Sequence, residues 1–236
     1  MKSLLTTAIT ALLILAPRQS ASQTSEVWLD YFANWTYGPD WSFEGNAGIA
    51  KGLPDAQWLD AYLCANATYQ PFNWFTTEGN LEGHYTFNTT TEDVLEVRPW
   101  LGFNFIWAKF GGPLHLFYPS ISLRLEERYF WYQTSGAKES KERLRLRVFA
   151  RFPINNEMLT EGTYYLLFLA EGYAPLDGEA REVSADKARF QAGIGYVFGS
   201  ELRIELQYLW MRTRNTKSNN FETSSQIVWL ALRNFF

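Results

Sequence analysis

Polar and apolar residues alternate with a period of two through most of this 236-residue chain. The stretch KERLRLRVFARFP (141–153) shows the pattern clearly, because arginines at odd positions alternate with leucine, valine, alanine and phenylalanine at even ones. Successive side chains of a β-strand point to opposite faces, so this period predicts strands whose two faces meet different surroundings. No segment shows a sustained helical period. The sequence therefore predicts an all-β fold.

The alternating segments have the length of strands that cross a membrane. Eleven segments can be distinguished, each about 10–13 residues long, which is long for soluble sheets and suits tilted strands in a bilayer. A single-chain bacterial barrel normally has an even number of strands, so that both chain ends lie in the periplasm. We therefore expect a closed antiparallel transmembrane β-barrel of about 12 strands. The alternative is 10 strands, if segment 26–37 does not span.

The first 22 residues have the order of a secretory signal peptide. Lys2 precedes an apolar run from Leu4 to Ala16, and the small residues Ser20 and Ser22 offer a cleavage site. The apolar run is too short for a transmembrane helix. We predict a cleaved signal peptide over residues 1–22 and a single barrel domain over residues 23–236. Such a barrel belongs in the outer membrane of a Gram-negative bacterium.

Composition supports a membrane environment and argues against nucleic acid as a partner. Aromatic residues make up 17% of the chain, more than one soluble core needs, and aromatic rings favour the membrane–water interface. Without residues 1–22 the chain carries 19 basic and 25 acidic residues, whereas binding to a phosphate backbone needs a clear basic excess. Cys64 is the only cysteine, which excludes an intrachain disulfide.

The alternation assigns the charged residues to one face of the strands and apolar residues to the other. An arginine facing lipid near the bilayer midplane would cost about 2–4 kcal/mol, whereas inside the barrel it can pair with carboxylates. A soluble periplasmic β-barrel binding protein, with an apolar core and charges toward solvent, has the same period and is the alternative. The predicted lumen charge network comprises Arg98, Arg124, Arg128, Arg143, Arg145, Arg147, Arg151, Arg189, Arg203, Glu78, Glu82, Glu96, Glu126, Glu171 and Glu205.

The C-terminus carries a second indication of the membrane. The chain ends at Phe236, with Val228, Leu230 and Leu232 at alternate positions before it, although Asn234 interrupts the pattern. This ending is similar to the signal by which bacterial outer-membrane proteins reach the barrel-insertion machinery. We expect that machinery and outer-membrane lipid as partners.

Four segments of the C-terminal half resemble a known family. They are LRLEERYF (123–130), RLRLRVFARF (143–152), LFLAEGY (167–173) and ARFQAGIGYVFGSELRIELQYLWMR (188–212). In this order they are similar to an uncharacterised family of bacterial outer-membrane barrels, domain of unknown function 2490. The likeness covers roughly residues 95–236. It implies an outer-membrane barrel and supplies neither an activity nor site residues.

The residues that could carry chemistry are few. His84 lies on a polar face near Glu82 and Glu78, but no spacing ties it to a serine nucleophile. One cysteine and two distant histidines, His84 and His115, make a poor metal-ligand set, so we expect no cofactor and no metal. Our first hypothesis is a structural barrel or a narrow pore for small, anionic solutes. The alternative is a membrane-embedded hydrolase acting on lipid or envelope substrates, with His84 as its base.

Overall fold

The computed structural model describes residues 24–53, 57–107, 118–176, 187–214 and 221–236. The predicted signal peptide and His115 lie outside these residues. Within them, no helix is long and apolar enough to cross a membrane. The strands are β1 (Thr24–Tyr37), β2 (Trp41–Leu53), β3 (Trp58–Phe72), β4 (Phe75–Asn88), β5 (Val94–Ile106), β6 (Tyr118–Tyr132), β7 (Lys138–Pro153), β8 (Tyr164–Pro175), β9 (Lys187–Phe198), β10 (Leu202–Arg214) and β11 (Phe221–Phe235).

The strands form one closed barrel in chain order, which confirms the predicted fold class. Each strand pairs antiparallel with the next, and β1 closes the barrel by pairing parallel with β11. The described part of the chain thus contains eleven strands, where an even number near 12 was expected. Because an odd number of alternating strands leaves the first and the last running in the same direction, closure is parallel. The eleven segments visible in the sequence correspond to the strands, and only the even-number assumption fails.

Side chains reinforce the parallel seam between β1 and β11, where backbone pairing is slightly weaker than in an antiparallel pair. The indole Nε1 of Trp229 donates to Asp30 inside the barrel. Arg233 reaches past β1 to Glu44 on β2 at 3.1 Å, and its guanidinium lies 3.7 Å from the ring centroid of Phe32. The seam is therefore held by contacts that span three strands.

The outer surface of the barrel is apolar. Leu63, Leu81 and Leu146 are each more than half exposed, and they point outward from the middle of their strands. Such a band is far larger than the apolar patches that soluble monomers expose, and it is typical of a transmembrane barrel. A soluble barrel with an apolar interior and a charged exterior would show the opposite arrangement. The outward-facing rings include Tyr31, Trp35, Tyr37, Trp41, Phe43, Phe72, Trp74, Phe87, Phe103, Phe105, Trp107, Phe168, Phe190, Phe198 and Trp210.

The two ends of the barrel carry different connections. At the end where β11 terminates, short turns at 38–40 and 199–201 join strands, and Gly38 and Gly199 supply the positive φ values of 64° and 60° that these turns require. At the opposite end, Glu92 accepts hydrogen bonds from the backbone N–H groups of Ser135 and Thr134. These bonds lower the pKa of Glu92 and tie two neighbouring loops together.

Apolar side chains fill part of the interior on the β8–β9 side. Tyr165, Leu167 and Val197 are almost completely buried there, and Leu159 from the 154–163 connection packs against them. The Tyr165 hydroxyl donates to Glu205 at 2.8 Å, which satisfies the buried phenol. The interior is thus narrowed from one side at the end where that connection lies.

Gly195→Ala is expected to destabilise the barrel by about 1–3 kcal/mol, because an added Cβ would lie 2.2 Å from the ring of Tyr165. The ring would have to shift and would lose its hydrogen bond to Glu205. Urea unfolding of the folded barrel, followed by tryptophan fluorescence, measures the change. Gly172→Ala is the matched control, since nothing lies within 4 Å of its added Cβ. Equal effects of the two substitutions would contradict the packing described.

Candidate functional site: the charged lumen

The barrel encloses one cavity that is lined by side chains from all eleven strands. Its volume is about 900 Å³. Charged side chains from all sides of the barrel make up much of its wall, together with amide, hydroxyl and apolar side chains. The lumen is therefore the candidate functional site of this protein.

Glu126 on β6 is the centre of the first ion-pair group. Its side chain is fully buried and accepts from three arginines, namely Arg143 and Arg145 on β7 and Arg124 at 3.2 Å on its own strand. Arg124 also lies over the ring of Trp100, with 3.5 Å between its Cζ atom and the ring centroid. One carboxylate thus neutralises only part of the charge of three guanidinium groups.

Glu171 on β8 is the centre of the second group. It contacts Arg145 at 2.7 Å, Arg147 at 3.1 Å and Arg189 at 3.0 Å, and it also accepts from the Tyr173 hydroxyl. Arg145 bridges Glu126 and Glu171, so the two groups are continuous. The antiparallel pairing of β7 with β8 sets Arg147 directly opposite Glu171, which explains why they meet.

Two further groups complete the network. Arg98 bridges Glu82 and Glu96 at 2.7 and 2.8 Å, and Arg128 forms a two-pronged pair with Glu96. In the other group, Glu205 accepts from the Arg233 Nε atom at 3.1 Å, and Arg151 lies 3.6 Å from it. A two-pronged guanidinium–carboxylate pair fixes both side chains in place, so Arg128 and Glu96 form a rigid part of the wall.

Arginines outnumber their carboxylate partners on β6–β9. Arg124, Arg143, Arg145, Arg147 and Arg189 share Glu126 and Glu171, with Glu82 as a distant third partner of Arg124 at 4.0 Å. We call these five arginines the basic wall. Arg143 and Arg147 use only Nε in hydrogen bonds to described side chains, so their terminal N–H groups stay available at the cavity surface.

Carboxylates prevail on the opposite wall, on β1–β4. Asp30 accepts from Asn46, Tyr62 and Trp229, and Glu78 accepts from Asn104. Within the described residues neither has a lysine or arginine nitrogen within 4 Å. These carboxyl groups accept hydrogen bonds but form no ion pair with the lysines and arginines that the structure describes. The two signs of charge are thus separated across the lumen.

His84 lies on the carboxylate side of the lumen. Its Nδ1 is 2.8 Å from Asp60, and its Nε2 is 3.5 Å from Glu82. Both ring nitrogens therefore face carboxylates rather than a hydroxyl or thiol nucleophile. In the chain as described, no group of three or more metal-ligating side chains could hold a metal ion.

The structure gives a position to each residue of the predicted lumen charge network. Fourteen of the fifteen lie in the ion-pair groups above or, like Glu78, on the carboxylate wall. Arg203 has no carboxylate within 4 Å among the described residues, and it lies instead over the ring of Phe235, 4.3 Å from the centroid. Val228 and Leu230 of the predicted insertion signal point outward. The role of that signal stays a prediction.

Some lumen residues were not singled out from the sequence. Arg233 pairs with both Glu44 and Glu205, and Trp229 and Tyr62 donate to Asp30. Arg233 occupies an odd position in the final segment, whereas the apolar residues before Phe236 are at even ones, so its parity could have placed it inside. Glu205 lies on the neighbouring strand β10, whereas the contact with Glu44 depends on the β1–β11 closure, which the sequence did not reveal.

Comparisons with known proteins identify the family of this chain. The family model described as "Protein of unknown function (DUF2490)" matches residues 25–222. Among curated proteins no sequence matches significantly. A solved structure described as "NanC porin structure in rhombohedral crystal form" aligns with 84% of this chain and 94% of its own, at 10% sequence identity and a TM-score of 0.47.

Proposed function

Because this chain belongs to the family of unknown function DUF2490, we propose a function from the barrel itself: a porin-like outer-membrane protein that passes small anionic solutes. The lumen provides the path, because side chains from all eleven described strands line its cavity. The ion-pair groups and the apolar cluster around Tyr165 narrow that path, so only small solutes fit.

The surplus of arginines on the basic wall is the observation that carries the proposal. Five guanidinium groups share two close carboxylates, and Arg147 keeps terminal N–H donors at the cavity surface with 28% of its side chain exposed. A positive wall within a low-dielectric barrel concentrates anions in the pore and raises their rate of entry. Rings of arginine and lysine are the usual basis of selectivity in anion pores.

Placement in the outer membrane is supported by the outer surface and the sequence. The apolar band with its aromatic rings suits a lipid environment. The period-two alternation of the sequence suits tilted strands that cross a bilayer.

Planar-bilayer recording of the chain purified from the outer-membrane fraction tests the proposal. We expect discrete conductance steps and a reversal potential in a salt gradient that indicates anion preference.

Arg147→Gln should lower the anion-to-cation permeability ratio by about threefold, because it removes an accessible positive charge. Lys51→Gln, the same charge change at an exposed position outside the lumen, should leave the ratio unchanged. Cation preference, absence of conductance, or recovery of the chain in the soluble periplasm would contradict the proposal.

A further inference from the structure

We infer that the solute carries both an anionic group and a protonated amine, so that it is a small zwitterion. This inference rests on the proposed pore function and specifies its substrate class. A pore for simple anions needs only the basic wall. The carboxylates that face the same cavity from β3 and β4 then have no role, and they would repel the solute.

The basic wall has donors to spare for the anionic group of the solute. The terminal N–H groups of Arg143 and Arg147 have no acceptor among the described residues. The buried Nε atom of Arg189 also lacks a partner there, as does that of Arg151, which lies on β7 outside the basic wall. A carboxylate, sulfonate or phosphate offers the acceptors that this wall lacks, since guanidinium groups bind such oxyanions with charge-assisted hydrogen bonds.

The β3–β4 side has acceptors to spare for a cationic group. Asp60 receives hydrogen bonds from Thr86 and from His84, which is a cationic partner only when its ring is protonated, and Glu78 receives one from Asn104. Neither carboxylate lies within 4 Å of a lysine or arginine nitrogen in the described structure. The buried Oδ1 atom of Asn80, between Glu78 and Glu82 on β4, has no donor there. A primary ammonium has three N–H donors and no acceptor, which is the chemistry that complements these oxygens.

Strand order places the two sets on different sides of one cavity. Asp60 on β3 and Glu78 on β4 are separated from Arg147 on β7 and Arg189 on β9 by at least two strands in either direction around the barrel. All four side chains line the same cavity. A solute with both charges gains attraction from both sides when it lies across the lumen, whereas a simple anion or a simple cation is attracted by one side and repelled by the other.

Liposome swelling with three solutes of similar size tests the inference: β-alanine, propionate and propylammonium. Reconstituted wild-type protein should admit β-alanine about threefold faster than propionate, and propylammonium more slowly still. The double variant Asp60→Asn with Glu78→Gln should remove the advantage of β-alanine and leave propionate entry equal or faster. Glu142→Gln, at an exposed position outside the lumen, controls for the loss of acidic charge.

The outcomes separate this inference from the function on which it rests. Anion-selective conductance with propionate entering as fast as β-alanine would overturn the zwitterion preference and leave the pore intact. An unchanged β-alanine advantage in the double variant would overturn the role of Asp60 and Glu78. Absence of both conductance and swelling, in protein whose gel mobility shows a folded barrel, would overturn the proposed pore and the inference together.

Discussion

Glu126→Gln is expected to lower the free energy of unfolding of the barrel by about 3–5 kcal/mol. The side chain is fully buried and accepts from Arg124, Arg143 and Arg145. A glutamine keeps the size of the side chain but removes its negative charge, so three guanidinium groups lose their shared counter-ion. Removing one partner of a buried ion pair costs far more than the pair contributes, because the remaining charge stays desolvated.

Urea unfolding of the detergent- or lipid-folded barrel measures this loss, with gel mobility as a second readout of folding. Glu127→Gln is the matched control, because the same chemical change at the next residue falls on the other face of β6, outside the ion-pair network. The double variant Glu126→Gln with Arg145→Gln should recover part of the stability, since it also removes one uncompensated charge. Similar effects of Glu126→Gln and Glu127→Gln would show that the network contributes little to folding.

The period of two predicts much of this structure because each strand separates lipid from a polar lumen. In β7, the arginines at odd positions from Arg143 to Arg151 lie inside, while Leu146 and Val148 face outward. Pro153 ends the strand, as its position in the sequence indicates. Wherever polar and apolar residues alternate this clearly, the physical cost of a charge in lipid fixes which face is which.

The pattern is uninformative where both faces of a strand are apolar. The segment TYYLLFLAEGY does not reveal that Tyr165 and Leu167 fill the lumen while Leu166 and Phe168 face outward. The alternation within each strand also does not predict how the first and last strands pair when the barrel closes. The parallel β1–β11 pair follows from the odd number of strands, whereas we expected an even number. The contacts of Arg233 with Glu44 and of Trp229 with Asp30 depend on this pair.

The sequence places the charged residues in the lumen, but it does not show how arginines and carboxylates are distributed around the barrel. The alternation predicts only that arginines and carboxylates share the inner face and can pair there. The structure instead concentrates arginines on β6–β9 and leaves Asp30, Asp60 and Glu78 without a lysine or arginine partner among the described residues. Register between neighbouring strands decides most of these pairs, because side chains on adjacent strands or two residues apart come within ion-pair distance. Long side chains also reach across the lumen, as Arg233 does to Glu44 two strands away.

Leu146→Arg is expected to destabilise the folded barrel by about 2–4 kcal/mol in lipid, the cost of an arginine on the lipid face near the midplane. Leu146 lies in the middle of β7, is 52% exposed, and is flanked by Arg145 and Arg147, which point inward. The new guanidinium could reach neither Glu126 nor Glu171 without passing through the wall. Its cross-strand neighbours, Leu123 and Gly172, offer no counter-charge.

The size of this penalty distinguishes a lipid-facing surface from a surface in water. Ser140→Arg, on the same face of β7 but near its end, should cost only about 0–1 kcal/mol, because the cost falls toward the membrane interface. Unfolding of both variants in phospholipid vesicles gives the two values under identical conditions. A soluble barrel would tolerate an arginine equally well at an exposed central position and at an exposed end. Equal stability of the two variants would therefore contradict the membrane-spanning orientation, whereas the expected gradient follows directly from the depth of Leu146 in the bilayer.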